Sequence, residues 1–332
     1  YGDHRDLHYP LRRQRQMCIR DRLRAALKHE AQHALFVSHE GGQSTEAAED
    51  GNEAGPEEEE WIAYDDLTGK HLDPVRVRAA RAEEIAFFHA KNVYEKVERS
   101  ECLEKTGKAP ISVRWIDINK GDEAKPNYRS RLVAREIKKD GRLDFYAPTP
   151  PIEAVKMLLA VVAMHNKKDM KEEEEWKLQF VDISRAYFHA ECTTETYVEL
   201  PPEDQEEGDE DRCGKLRMAM YGTRSAAKSW EKRYSSFLRG LGFQQGHASV
   251  CAFWHPAMEI RMVVHGDDFT AIGPKKSLHW MRRAWRKEFD IKECIMGSGE
   301  SEVKETRILN RIVRWTAEGI ELESDQRHGE LI

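Results

Sequence analysis

Asp182 closes the largely apolar run Leu178-Gln179-Phe180-Val181, and the pair Asp267-Asp268 sits between two further apolar runs 85 residues downstream. A carboxylate embedded in such a run is costly unless it is paired or bound to a cation. If the strands carrying these residues are neighbours, three carboxylates converge, repel one another and raise their own pKa values. Two divalent cations would relieve that repulsion, and hard oxygen donors with few nitrogen or sulfur partners suit Mg2+ or Mn2+. Two such ions about 4 Å apart can activate an attacking oxygen and stabilise a leaving one in an in-line phosphoryl displacement. The plain alternative is a solvated turn at Asp267-Asp268 and an ordinary strand end at Asp182.

A second constellation lies near the start of the chain. His29-Glu30-Ala31-Gln32-His33 fits the H-E-x-x-H spacing, which on a helix puts two imidazoles on one face as zinc ligands with Glu30 as base. Its flanks are polar and it abuts an acidic stretch, so a charged surface helix carrying two histidines is the preferred reading. The six cysteines are scattered without a C-x-x-C pair, which disfavours a cysteine zinc site or a disulfide scaffold and fits a reducing compartment.

The elements that must position the aspartates are read from periodicity. Residues 111–119 alternate and are rich in β-formers, Lys120-Gly121-Asp122 is a turn, and 128–138 is the return strand, a hairpin with an excess of Arg and Lys. Arg129 and Arg131, two residues apart, fall on one face of that strand. Guanidinium groups suit bidentate contact with phosphate oxygens; a solvated face is the alternative. A helix is expected from Asp73-Pro74 to about residue 99, another over 152–166, a strand over 177–183, helices over 229–241 and 278–289, and a hairpin of 260–264 with 269–272 carrying the two aspartates at its tip. Phe87, Phe88, Trp115 and Trp230 read as core. Helices and strands mix without regular alternation, so the class is α+β.

Length suggests about two domains at roughly 150 residues each. Charged residues make up 34% and apolar ones 39%. No stretch approaches the roughly 18 apolar residues of a membrane span, and no signal-peptide pattern opens the chain, so neither a membrane role nor secretion is expected. Net charge is −7, but the stretches 44–60 and 201–211 hold eight and seven acids and no Lys or Arg, leaving +8 for the rest. Such blocks read as solvated loops or linkers, and what remains can form a basic groove. Residues 1–22 contain Met17-Cys18-Ile19-Arg20-Asp21-Arg22, similar to a translated sequencing-adapter end, and are set aside as an artefactual or disordered tail. Residues 23–60 read as a short helix plus an acidic disordered linker, and 61–332 as the folded part.

The residues around the aspartates carry a family resemblance. Asp182-Ile183-Ser184-Arg185-Ala186-Tyr187-Phe188 resembles the first catalytic motif of reverse transcriptases, and with Tyr197-Val198-Glu199-Leu200-Pro201-Pro202 it resembles the copia-type retrotransposon form. In the same order along the chain, 129–135, Phe145-Tyr146-Ala147-Pro148, 220–230, Gly266-Asp267-Asp268 and Asp325-Gln326-Arg327-His328 resemble further segments of that family. The resemblance implies a right-handed polymerase of α+β class with an antiparallel palm sheet: fingers at about 75–175, palm at about 176–275, and palm and partial thumb over 276–332. It implies RNA-directed DNA polymerisation, with two Mg2+ or Mn2+ ions held by Asp182, Asp267 and the carbonyl of Ile183, and Asp268 in support. Arg129, Arg131, Gly222 and Tyr187 then face the incoming dNTP, Tyr187 as the aromatic that clashes with a ribose 2′-hydroxyl. Arg224, Lys228, His265 and Gly266 face the RNA template and DNA primer. Integrase and ribonuclease H segments of a Pol polyprotein are expected partners, and the expected location is a cytoplasmic virus-like particle with access to the nucleus.

The chain departs from the family at His265-Gly266, where Tyr-Val is usual, and at Ala227, where proline is usual. Glycine is expected to loosen the turn, and histidine titrates near neutrality. These departures keep a second reading open, a catalytically silent nucleic-acid-binding remnant of a retroelement.

Overall fold

The computed structural model describes residues 61–137, 149–166, 170–172, 174–309 and 311–324. The H-E-x-x-H stretch, the 1–22 tail, the acidic run 44–60 and the segments 145–148 and 325–328 lie outside the described residues.

The described chain is mixed α and β, with its strands in antiparallel sheets. A two-stranded ladder of β1 (Ala63–Tyr64) and β2 (His71–Leu72) leads into helix α1 (Pro74–Ala90). Asp73 caps α1 by accepting hydrogen bonds from the amides of Val75 and Arg76, and Pro74 occupies the first turn, where its missing N–H costs nothing. The helix ends nine residues earlier than its spacing predicts. Asn92 takes a left-handed φ of 49°, and β3 (Tyr94–Glu98) comes next, before helix α2 (Arg99–Thr106). Val93, Tyr94 and Val97 thus mimic a helical stripe, but Tyr94 pairs with Leu216 across a sheet instead.

The basic hairpin forms from β4 (Val113–Asn119) and β5 (Tyr128–Ala134), although the return strand ends at Ala134 and not at 138 as its spacing predicts. Ser130, Leu132 and Ala134 point inward, which leaves Arg129 and Arg131 on the other face. Helix α3 (Ile152–His165) precedes β6 (Trp176–Ile183). After it come β7 (Tyr197–Val198), β8 (Arg212–Leu216), helix α4 (Ala226–Gly240), β9 (Gln244–Gln245), β10 (Ala252–His255), β11 (Ile260–His265), β12 (Asp268–Pro274), helix α5 (Lys275–Glu288), β13 (Ile291–Met296), and a meander of β14 (Glu305–Ile308), β15 (Arg311–Thr316) and β16 (Gly319–Leu322).

The six-stranded sheet has the order β13-β6-β12-β11-β10-β9. Every residue of β6 but Asp182 is buried, because the sheet is covered on both faces. On one face Val181, Ile183, Met262, Val264 and Phe269 pack against Trp230 and Leu238 of α4 and Trp285 of α5. On the other, Leu178, Phe180, Val263 and Ile272 meet α3 and Val313 of β15. Trp230 is core as expected. Trp115 is only half-buried, and its indole N–H donates to Glu203 at 2.8 Å.

The run 201–211 is not the freely solvated loop its charge suggests. The Asp204 and Asp209 side chains are buried: Asp204 accepts from Tyr94 Oη at 2.5 Å, and Asp209 from Lys96 at 2.6 Å and Arg212 at 3.1 Å. Glu203 adds an ion pair to Arg81 at 2.7 Å. Apart from the adjacent Arg212, the groups that hold these acids are remote in sequence, which a local charge count cannot see. Among the described residues no helix is long and apolar enough to cross a membrane.

Candidate active site

The central sheet sets four charged or titratable residues in one row across four strands. Lys292 of β13 stands opposite Asp182 of β6, Asp182 opposite Asp268 of β12, and Asp268 opposite His265 of β11. Directly opposed residues of antiparallel strands have Cβ atoms roughly 5 Å apart on one face. The two strands flagged by their apolar runs are therefore neighbours, and the carboxylates do converge. Asp267 completes the set from the two-residue turn between β11 and β12.

That turn is fixed rather than loose. Gly266 has φ of 69°, whereas Asp267 is not among the residues of positive φ. Positive φ at the first central position alone is the pattern of a type II′ hairpin turn, which favours glycine there. The turn's two carbonyls are held from neighbouring elements. Trp230 Nε1 of α4 donates to Gly266 O at 2.9 Å, and the Ile183 amide donates to Asp267 O at 3.3 Å.

Asp182 lines two clefts. One, of about 330 Å3, also holds Asp267, Arg129, Arg131, Arg185 and Lys292. The other, of about 270 Å3, holds Asp268, His265, Lys292, Thr306 and Arg307. The Asp182 and Asp268 carboxylates are open to solvent, but the cleft walls strip away part of their hydration. Burial first, then Asp267, raises the Asp182 pKa above its ordinary value, while Lys292, Lys120 and Arg131 pull it back. Burial and then the Asp267 and Asp182 charges push Asp268 up to about 6. Burial, and then the charges of Arg129 and Arg131, lower the Lys120 pKa.

Lys120 and Lys292 were invisible to motif reading. Lys120 resembled any turn lysine, and Lys292 is placed only by the register of β13 on β6.

Tyr187 lies on the short 3-10 turn Ala186–His189 that succeeds β6. Its ring packs against that of Tyr221, tilted by 43° with centroids 4.6 Å apart, and the Arg131 guanidinium lies 5.0 Å from the Tyr221 ring centre. Gly222, expected to let the backbone approach a ligand, instead lets it approach the protein's own hairpin. With φ of 84°, a Cβ there would stand 2.0 Å from Ala134 O. Arg224 and Lys228 are not brought to the aspartates. The Arg224 amide donates to Glu136 at 2.7 Å, and Lys228 pairs with Glu231 on α4 at 2.9 Å.

Among the described residues no three His, Cys, Asp or Glu side chains form a ready-made cation cage. The donor set still fits Mg2+, which keeps several waters and commonly binds through one or two carboxylates plus substrate phosphates. Asp182 and Asp267 would hold such an ion in the cleft that Arg129 and Arg131 border. The raised Asp268 pKa gives a test. Between its ordinary value near 3.8 and about 6, the folded state binds more protons than the unfolded one, so this group's contribution to stability falls as pH rises through about 6. Asp268→Asn should therefore gain melting temperature relative to wild type as pH climbs from 4 to 7.5, and Mg2+ should raise the wild-type melting temperature more at pH 7.5 than at pH 5. A pH-independent difference between the two proteins would refute this coupling.

The family described as reverse transcriptase (RNA-dependent DNA polymerase) matches residues 92–298. The retrovirus-related Pol polyprotein from transposon TNT 1-94 of Nicotiana tabacum is 22% identical over 229 residues, covering 67% of this chain and 16% of that protein. The corresponding polyprotein from transposon RE2 of Arabidopsis thaliana is 24% identical over 170 residues, covering 49% of this chain and 11% of that protein. Among solved structures, a foamy viral protease-reverse transcriptase in complex with double-stranded DNA aligns with 78% of this chain and 37% of its own, at TM-score 0.42 and 10% identity. The chain thus spans less than a fifth of the length of these two polyproteins.

Proposed function

The chain belongs to the reverse transcriptase family, in the form found in copia-type retrotransposon Pol polyproteins, and from that premise we infer that it carries out RNA-directed DNA synthesis by two-metal nucleotidyl transfer. The observation that carries the reading is the cross-strand row Lys292–Asp182–Asp268–His265, with Asp267 in its fixed turn facing the arginines of the β4–β5 hairpin. On this reading the hairpin and α1 belong to the fingers, the six-stranded sheet is the palm, and the β14–β16 meander begins the thumb.

Each residue has a physical task. Asp182, Asp267 and the Ile183 carbonyl supply hard oxygens for two Mg2+ or Mn2+ ions, which when bound polarise the phosphate and neutralise developing charge. Arg129 and Arg131 grip the dNTP triphosphate, with Lys120 and Lys292 adding positive field around Asp182. Tyr187 blocks a ribose 2′-hydroxyl. Asp268 and His265, in the other cleft, border the primer end, so that its 3′-hydroxyl lies near the α-phosphate it attacks. Holding the reactants in line in a field arranged in advance supplies most of the acceleration. The partners are an RNA template, a DNA primer and the remaining Pol segments, in a cytoplasmic particle.

The test is extension of oligo(dT) on poly(rA) by the purified chain, first with Mg2+ and then with Mn2+. Incorporation of dTTP that requires the divalent ion is expected. Binding of the primer–template without extension under either ion would overturn the enzyme reading in favour of a silent nucleic-acid-binding remnant.

A further inference from the structure

Glu84 of α1 is 1% exposed and comes from a different element than any residue assigned above. A buried carboxylate is costly unless its charge is met. One oxygen accepts from Arg185 Nε at 2.8 Å, and the other has no hydrogen-bond partner among the described residues. Burial raises its pKa, and Arg185 and then Arg131 oppose the rise.

Arg185 is itself unusual. It lies three residues after Asp182 and adopts φ of 49°, a left-handed conformation that costs a non-glycine residue about 1 kcal/mol or more. Such strain persists where surroundings over-determine it. Here the guanidinium lies 4.1 Å from the centre of the Phe87 ring, is bound to Glu84 and stands 3.6 Å from Glu83. Three groups of one helix therefore hold the corner at which the chain leaves the central strand.

That corner sets the conformation of the turn after it. The Ser184 amide is bound to Asp290 O at 2.9 Å. The Arg185 carbonyl accepts from the Phe188 amide at 3.0 Å, and the Tyr187 carbonyl from the Ala190 amide at 3.0 Å, closing the short turn that carries Tyr187. We propose that Glu84 and Arg185 form a positioning pair that fixes the Tyr187 ring, and that the discrimination between deoxyribonucleotides and ribonucleotides depends on this pair as well as on the tyrosine. The proposal rests on the polymerase reading above. It makes a helix outside the catalytic sheet answerable for sugar selectivity, because a gate that works by steric clash loses its edge when the ring can yield.

The experiment compares wild type, Glu84→Gln and Arg185→Gly in single-nucleotide extension with dTTP and with UTP. Glutamine keeps an acceptor but loses the charge, and glycine accepts the left-handed corner without strain while removing the guanidinium. Both variants are expected to raise the relative kcat/KM for UTP over dTTP by about tenfold, mainly through a lower KM for UTP. A wild-type ratio in both variants overturns the proposal, since a strained corner alone would then set the ring. If the wild-type chain extends with neither nucleotide, the polymerase reading is what fails, and the pair is judged by hydrogen exchange. Faster exchange of the Phe188 and Ala190 amides in Glu84→Gln supports it, and unchanged exchange overturns it.

Discussion

Asp267→Asn should reduce primer extension by about two to three orders of magnitude, the scale on which removal of one group that stabilises transition-state charge is felt. The reason lies in charge rather than shape. Asparagine keeps the size of the side chain and one oxygen, but it removes a negative charge from the cleft shared with Asp182, Arg129 and Arg131. A divalent ion then loses a formal charge partner while the surrounding cations, Arg129, Arg131, Arg185 and Lys292 in the cleft and Lys120 near Asp182, keep theirs. Asp182→Asn should fall as far, because Asp182 lines both clefts. Asp268→Asn should cost less, because its carboxylate lines only the cleft on the His265 side. None of these changes should lower the melting temperature of the ion-free protein, since each removes a like-charge neighbour. Single-turnover extension at saturating dTTP measures the loss, and an Asp267→Asn protein within tenfold of wild type would exclude this aspartate from the chemistry.

Gly222→Ala should destabilise the chain by more than about 3 kcal/mol, combining left-handed strain with overpacking against backbone. The added methyl would stand 2.0 Å from Ala134 O and 2.9 Å from Ala134 N, and neither atom can swing aside as a side-chain tip does. The Ala134 amide is also bound to Tyr221 O at 2.8 Å, so the two backbones are clamped at this point. Moving them apart would carry the Arg129 and Arg131 strand away from Tyr221 and Tyr187. Gly69→Ala is the control. It has φ of 69° and nothing within 4 Å of the new methyl, so only conformational strain of about 1 kcal/mol should appear. Urea unfolding of both variants separates the two contributions. Equal losses would show that the contact with Ala134 yields.

Much of the site was legible because its signals are local. The apolar runs around Asp182 and Asp267-Asp268 marked two strands, and burying both runs in one sheet pairs them. The i, i+2 spacing of Arg129 and Arg131 gave their common face directly. Tertiary context decided the rest. Val93 and Tyr94 kept a helical spacing while a partner strand claimed them. Asp204 and Asp209 read as solvated acids until Tyr94 and Lys96 arrived from a distant segment. Lys292 has no motif of its own, and the β13–β6 register alone puts it beside Asp182. Gly266 read as a defect against the family pattern, yet its φ suits the turn it occupies. Glu84 sat unnoticed in a charged helix because its importance depends on a residue 101 positions away.

Asp182 belongs to both clefts at once, and this makes them communicating vessels. Charge brought to one side changes what the other side must tolerate. A cation drawn in beside Asp267 would lower the electrostatic cost of keeping Asp268 ionised on the His265 side, and ionisation of Asp268 must return the same free energy to that cation. The two halves of the site are therefore electrostatically coupled, and a single aspartate acts as the hinge post between them.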